Sequence, residues 1–361
     1  MHGMPPAQLQ HYSIAMSEEI SEIRIGRNVP ADPPRVSIII PNYKTAQYIA
    51  ETLESVRAQT FRDFEVIVIN DGAPDSEELF EVLGPYYDEI MFIDKKVNSG
   101  TSATRNLAVR YARGTILSFL DGDDIWYPTF LEEMLDFKDR GSYGMAYTDA
   151  EAFGQLHEKL RDLLHANPGE TCEITRELML QERVHCLPSG ALIDKDKFEL
   201  CGGFDPSVRR CEDFELWMRF TFAGVRIGYL RKLLFKFRFR PESGSGDLVQ
   251  RVERGRDMWR ILQSKLTFSE EENRQIERNI KYQHAGVLRA EGRTAIYRRN
   301  WDVARTKFAE ASDLAAELHL PVAHRMRMAG VRFLLTLSPE IVRLAQVGLR
   351  KRETAFMPGE Q

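Results

Sequence analysis

Four cysteines in 361 residues, Cys172, Cys186, Cys201 and Cys211, have neither the close pairing of a zinc site nor the density of a disulfide scaffold. A reducing cytosol is the compartment this usage suggests. No run approaches the ~20 apolar residues of a membrane-spanning helix. The first 34 residues lack the basic start and apolar stretch of a secretory leader. A net charge of -5 gives no general attraction to nucleic acid or anionic membrane, so a polyanionic ligand must be held by local groups. A glycine-rich phosphate loop near the first strand is also missing: "PNYKTAQ", behind the first strong strand, contains no glycine.

What is present is an alternation of two periodicities. "RVSIIIP" and "FEVIVIND" read as buried strands flanking the helical "AQYIAETLESVRAQ". "EELFEVLGPY", "TSATRNLAVRYAR" and "TFLEEMLDFKDR" continue as helices between the strands "EIMFID", "TILSFLD" and "YGMAYTD". The pattern predicts an α/β fold with a mostly parallel central sheet and helices on both faces. A ligand is then expected beyond the carboxyl ends of the strands, where "PNY", "NDG" and "DGDD" follow three of them. Residues 1–34 read as a mobile extension with one short helix around "SEEISEI", residues 35–245 as the α/β domain, and residues 246–361 as a helical region. Within the middle part, "EDFELWMRFTFAG" reads as a helix, "GALIDK" and "LLFKFRF" as strands. Gly292, Ala304, Phe308 and Ala311 have the spacing of one tetratricopeptide-type hairpin, but Ala295 stands where that repeat has Tyr, and a plain helical bundle is the preferred reading.

"FLDGDDIW" sets three aspartates, Asp121, Asp123 and Asp124, behind an apolar strand, where like charges repel and burial is costly. A solvated helix-capping turn explains such a run taken alone. A divalent cation together with a diphosphate explains it too, because hard cations bridge phosphate oxygens to carboxylates.

Three stretches, "VSIIIPNYKTAQYIAETLESVRAQTFRDFEVIVINDGAPD", "NSGTSATRNLAVRYARGTILSFLDGDDIW" and "SGALIDKDKFELCGGFDPSVRRCEDFELWMR", together resemble the family 2 glycosyltransferases, inverting nucleotide-sugar enzymes with the Rossmann-like GT-A fold. The likeness covers roughly residues 35–245. It implies a nucleotide-sugar donor, with a UDP-sugar favoured, a hydroxyl-bearing glycan or lipid-linked acceptor, and Mn²⁺ or Mg²⁺. It further implies that Asp123 is the direct metal ligand and that Asp121 lies near ribose or a metal-bound water. Asp124 would support that pair, and Gly122 would leave room for the ligand. Pro41, Asn42, Tyr43 and Asp71 would form the nucleoside pocket, with Arg105 nearby; Asp71 accepting the imide N–H of uracil would favour that base. Asp213 would be the base that deprotonates the acceptor hydroxyl, and Glu212 would orient acceptor or base.

One departure stands out. Many members carry Tyr-Arg-x-His after the last strand, where this chain reads "FRFRPESGSGD", with Phe237 for Tyr and Arg240 for His. A guanidinium cannot ligate a metal but can contact diphosphate, a role also open to Arg238. The loop "PESGSGD" is expected to close over bound donor, and "HCLPSGAL" to line the acceptor side. The apolar, basic-ended "VRFLLTLSPEIVRLAQVGLRKRE" can dock on the catalytic domain, make a homodimer, or rest on the inner face of a membrane. Two other classes remain open: a nucleotidyltransferase on a similar fold, and a non-catalytic glycosyltransferase-like binding protein.

Overall fold

In this computed structural model the described residues are 19–154, 171–182, 186–208, 211–240, 248–319, 322–339 and 342. The chain divides into two units, Met1–Pro241 and Glu242–Gln361.

The first unit is built outward from β2 (Val36–Asn42), whose β-branched run is buried at every position but Pro41. Helix α1 (Ala46–Arg57) leads to β3 (Phe64–Asn70), which pairs parallel with β2 from Val36↔Phe64 to Asn42↔Asn70. Helix α2 (Ser76–Leu83), β4 (Met91–Lys95), α3 (Thr101–Val109) and β5 (Ile116–Phe119) complete a parallel core in the order β4-β3-β2-β5. The carboxyl ends of β2, β3 and β5 consequently share one edge. The short β6 (Ile125–Trp126), α4 (Phe130–Gly141) and β7 (Met145–Gly154) follow.

Beyond the core the sheet becomes mixed. β8 (Thr171–Ile174) and α5 (Arg176–Leu180) precede a 3-10 turn at Pro188–Gly190 and β9 (Ala191–Asp194), which runs antiparallel to both β5 and β7. After α6 (Lys195–Leu200) and α7 (Glu212–Phe222), the long β10 (Ile227–Phe239) pairs parallel with β7 and antiparallel with β6 and β8. That length carries Arg238 and Arg240 to the same edge as the ends of β2, β3 and β5. One face of the sheet holds the core of α1, α2 and α4, including Ile49, Leu53, Leu79, Trp126, Phe130 and Met134.

One expectation is corrected. Ile20–Ile25, assigned to a mobile extension with a short helix, is strand β1, antiparallel to β4 at the sheet edge. Its β-branched residues suit a strand, and a helix of seven residues gains too little to form alone. The Ser21 hydroxyl ties β1 to Asp94 Oδ2 at 2.5 Å, and Asn70 Nδ2 donates to the other oxygen of that carboxylate at 2.7 Å.

The second unit comprises α8 (Leu248–Lys265), α9 (Glu270–Tyr297), α10 (Trp301–Glu317) and α11 (Val322–Leu337). Helix α9 opens with a capping box between Ser269 and Glu272, and Asn300 caps α10. Gly292 lies against the Phe308 ring, where a Cβ would come within 2.8 Å of it, and Ala304, Phe308 and Ala311 are buried. The hairpin spacing therefore appears as direct α9–α10 packing. Among the described residues no helix is long and apolar enough to cross a membrane. "PESGSGD" from 241 to 247 and the sequence beyond 342 lie outside the described residues.

Candidate active site

The acidic turn leaves β5 at its carboxyl end and is fastened from several sides. Asp124 N donates to Asp121 O at 3.0 Å, Thr52 Oγ1 on α1 to Asp124 O at 2.9 Å, and Asp121 N to Ser189 Oγ at 3.1 Å. Trp126 Nε1 donates to Ser189 O at 2.6 Å. A Cβ on Gly122 would meet Thr45 Oγ1 at 2.8 Å and Pro41 O at 3.3 Å. In the direction of a side chain the chain itself fills the space, so glycine is required for the turn to seat on the β2–α1 connection.

Each of the three acids has an internal answer to its charge. Arg105, buried on α3, donates from Nη2 to Asp121 Oδ1 at 2.5 Å. Arg240 Nε lies 2.6 Å from Asp123 Oδ2. Asp124 accepts the backbone N–H of Arg238 on Oδ1 at 2.9 Å, and burial together with the Asp123 and Asp121 charges raises its carboxyl well above the usual range. Burial and Asp121 push Asp123 up to about 6, with Arg240 and Arg238 opposing.

Arg105 also joins the turn to the expected catalytic pair. Its Nη1 donates to Glu212 Oε1 at 3.2 Å, and its guanidinium lies 5.3 Å from the Phe204 ring centre. Glu212 and Asp213 open α7, just after Cys211, whose φ of 58° turns the chain sharply into the helix. The helix is anchored through buried Glu215, which pairs with Arg219 at 2.6 Å, and Trp217, which donates to Cys186 O at 3.1 Å. Asp213 Oδ1 accepts from Phe214 N at 2.7 Å. Burial, then the neighbouring Glu212 charge, push Asp213 up to about 7. A carboxylate poised there is suited to general-base work near neutral pH.

The nucleoside candidates separate into surface and floor. Tyr43 is 42% exposed and presents its ring, whereas Asn42 is wholly buried and accepts from Thr45 Oγ1 at 2.6 Å, supporting the turn beneath. Asp71 is held by three donors: Lys95 Nζ at 2.6 Å and Ser99 N at 3.0 Å on Oδ1, and Gly100 N at 3.0 Å on Oδ2. Of roughly four acceptor positions on a carboxylate, one on Oδ2 is left by these bonds. The pairing with buried Lys95, which also donates to Ser99 and Thr104, was not foreseen from sequence. Nor was Ser189, whose "LPSG" turn lies beneath the acidic turn.

Arg238 and Arg240 differ in commitment. Arg238 donates from Nε to Asp123 O at 2.8 Å and from Nη2 to Glu51 at 2.9 Å, between the rings of Tyr48 and Phe153. It is a structural clamp. Arg240 spans Asp123 and Lys44 O, the latter 3.0 Å from Nη1.

The oxygens of Asp121 and Asp123 are hard donors suited to Mg²⁺ or Mn²⁺. Among the described residues no group of three or more His, Cys, Asp or Glu side chains forms a metal cluster. The donor set fits a cation whose remaining positions are filled by ligand oxygens and water.

Residues 37–200 match the family described as Glycosyl transferase family 2. An uncharacterized glycosyltransferase of Rickettsia felis is 30% identical over 305 residues, covering 82% of this chain; the chain spans 47% of that relative's length. S. aureus TarS 1–349, solved in complex with UDP-GlcNAc, superposes with a TM-score of 0.55 at 16% identity, over 88% of this chain and 92% of that one. The mannosyltransferase PcManGT from Pyrobaculum calidifontis, solved with GDP-Man and Mn²⁺, gives a TM-score of 0.55 at 16% identity and covers 89% of each chain. At those identities the likeness to TarS and PcManGT shows the GT-A fold.

Proposed function

We propose that this chain, which belongs to glycosyl transferase family 2 through residues 37–200, moves a sugar with inversion from a nucleotide-diphosphate donor to a hydroxyl group. A UDP-sugar is the favoured donor, and a glycan or lipid-linked acceptor of bacterial-type polysaccharide or glycoconjugate synthesis the favoured recipient. The observation that carries this reading is the bridge made by Arg105, which joins the acidic turn at Asp121 to Glu212, the neighbour of a carboxylate raised to about 7. Donor-side and acceptor-side chemistry then share one rigid mount.

In this mechanism Tyr43 stacks on the base, and Asp71 accepts the uracil N–H on the position its three internal donors leave. The acceptor hydroxyl gives its proton to Asp213 as its oxygen bonds to the anomeric carbon. The bond from that carbon to the diphosphate breaks on the opposite face, and its electron pair leaves with the nucleoside diphosphate. Glu212, held by Arg105, keeps negative charge beside Asp213 and so keeps it basic. Mn²⁺ or Mg²⁺ on Asp123, with Asp121 alongside, would supply Lewis-acid stabilisation of the leaving group.

Replacing Asp213 with Asn is the direct test. Transfer is expected to fall by at least ~10³-fold, the scale of a lost general base in a preorganised site, while UDP binding measured by calorimetry stays within about twofold of the parent. Unchanged turnover would remove Asp213 from the role. A panel of UDP-, GDP- and dTDP-sugars, with and without Mn²⁺, reports the donor.

A further inference from the structure

We infer that Arg240 is the resident countercharge of Asp123, and that a divalent cation gains this carboxylate only when a nucleotide diphosphate draws the guanidinium away. The inference rests on the nucleotide-sugar reading of the site and adds a coupling to it.

Arg240 Nε sits 2.6 Å from Asp123 Oδ2, with the two side chains 17% and 11% exposed. A guanidinium keeps its charge at any physiological pH and has no lone pair to offer a metal. Arg240 holds only Oδ2 and leaves Oδ1 open, but its fixed positive charge beside the carboxylate opposes an incoming cation, so the two compete for the same negative charge. Among the described residues no group of three or more His, Cys, Asp or Glu side chains stands ready to hold a cation by protein ligands alone. Metal alone therefore meets a site already neutralised and short of donors. A diphosphate changes both conditions, since its oxygens complete the cation's shell and offer the guanidinium a bidentate partner.

Arg240 is also the arginine placed to make the exchange. Arg238 is fixed through Asp123 O, Glu51 and two aromatic rings. The Arg240 contact with Asp123 is a close approach of charges rather than an aligned hydrogen bond. Arg240 also donates from Nη1 to Lys44 O at 3.0 Å and lies 5.4 Å from the Tyr48 ring centre, which holds it on the loop next to Tyr43, on the donor side. Metal and nucleotide should consequently strengthen each other's binding, and by linkage do so equally.

The test uses the full chain and two variants, Arg240→Ala and Arg240→Gln, each first checked for parental circular dichroism and melting. Mn²⁺ binding is followed by the electron paramagnetic resonance of the free ion, with and without UDP, and UDP binding in EDTA by calorimetry. In the parent, UDP should tighten Mn²⁺ binding by about tenfold or more. In either variant Mn²⁺ alone should bind about tenfold more tightly than to the parent, and UDP in EDTA more weakly. Equal or weaker binding of Mn²⁺ alone in a folded variant overturns the inference, and one folded variant suffices. If UDP binds none of the proteins with or without Mn²⁺, the nucleotide reading fails; the inference then fails with it whatever Mn²⁺ alone does.

Discussion

At the scale of single residues, Asp213 makes the sharpest claim on pH. Its carboxyl is raised to about 7, so the proton is held through the acid range and the basic form prevails above it. kcat/KM should rise roughly tenfold per pH unit up to about pH 7 and then level. Because the Glu212 charge contributes to the elevation, Glu212→Gln should move that midpoint downward. A profile already flat at about pH 5 would contradict the assignment. The acids of this site could be read from the sequence because their types and order are local: "DGDD" and "CEDFELW" each sit in one stretch. Their partners could not. Arg105 and Arg240 reach Asp121 and Asp123 from 16 residues before and 117 residues after them, and Lys95 reaches Asp71 across 24. Read without those arginines, the acidic run left a solvated turn or a cation with diphosphate as its explanations; with them, Asp121 and Asp123 have counterions within the chain.

At the scale of elements, the turn from Asp121 to Asp124 works as a wedge seated between α1, the Pro188–Gly190 turn and the end of β10. Gly122→Ala drives a Cβ into Thr45 Oγ1 and should cost about 1–3 kcal/mol in urea unfolding, as overpacking does. Combining it with Thr45→Ala, which removes the obstructing hydroxyl, should recover part of that loss. Full additivity of the two losses would mean that the collision is not the cause. The same scale shows where sequence patterning stops. Strands of the parallel core announce themselves through continuous apolar runs, since both faces are covered. β1 is largely exposed and β9 has four residues, so their pairing follows from open edges on β4 and β5 that no local pattern reveals.

At the scale of the whole molecule, two units each carry their own apolar core: the sheet with its helices, and the α9–α11 set around Phe308, Ile296 and Leu335. Scanning calorimetry should resolve two transitions, and UDP with Mn²⁺ at ~100 times its Kd should stabilise one of them by about 2.7 kcal/mol, leaving the other in place. A shift of both together would show that the units melt as one. The arginine beside each of Asp121 and Asp123 has a last consequence, for approach rather than for binding. Sugar nucleotides arrive as dianions, and a mouth ringed by bare carboxylates would turn them away over the range of a Debye length. Here the repelling field is cancelled in advance, so encounter with the donor should be nearly indifferent to ionic strength despite the chain's overall negative charge.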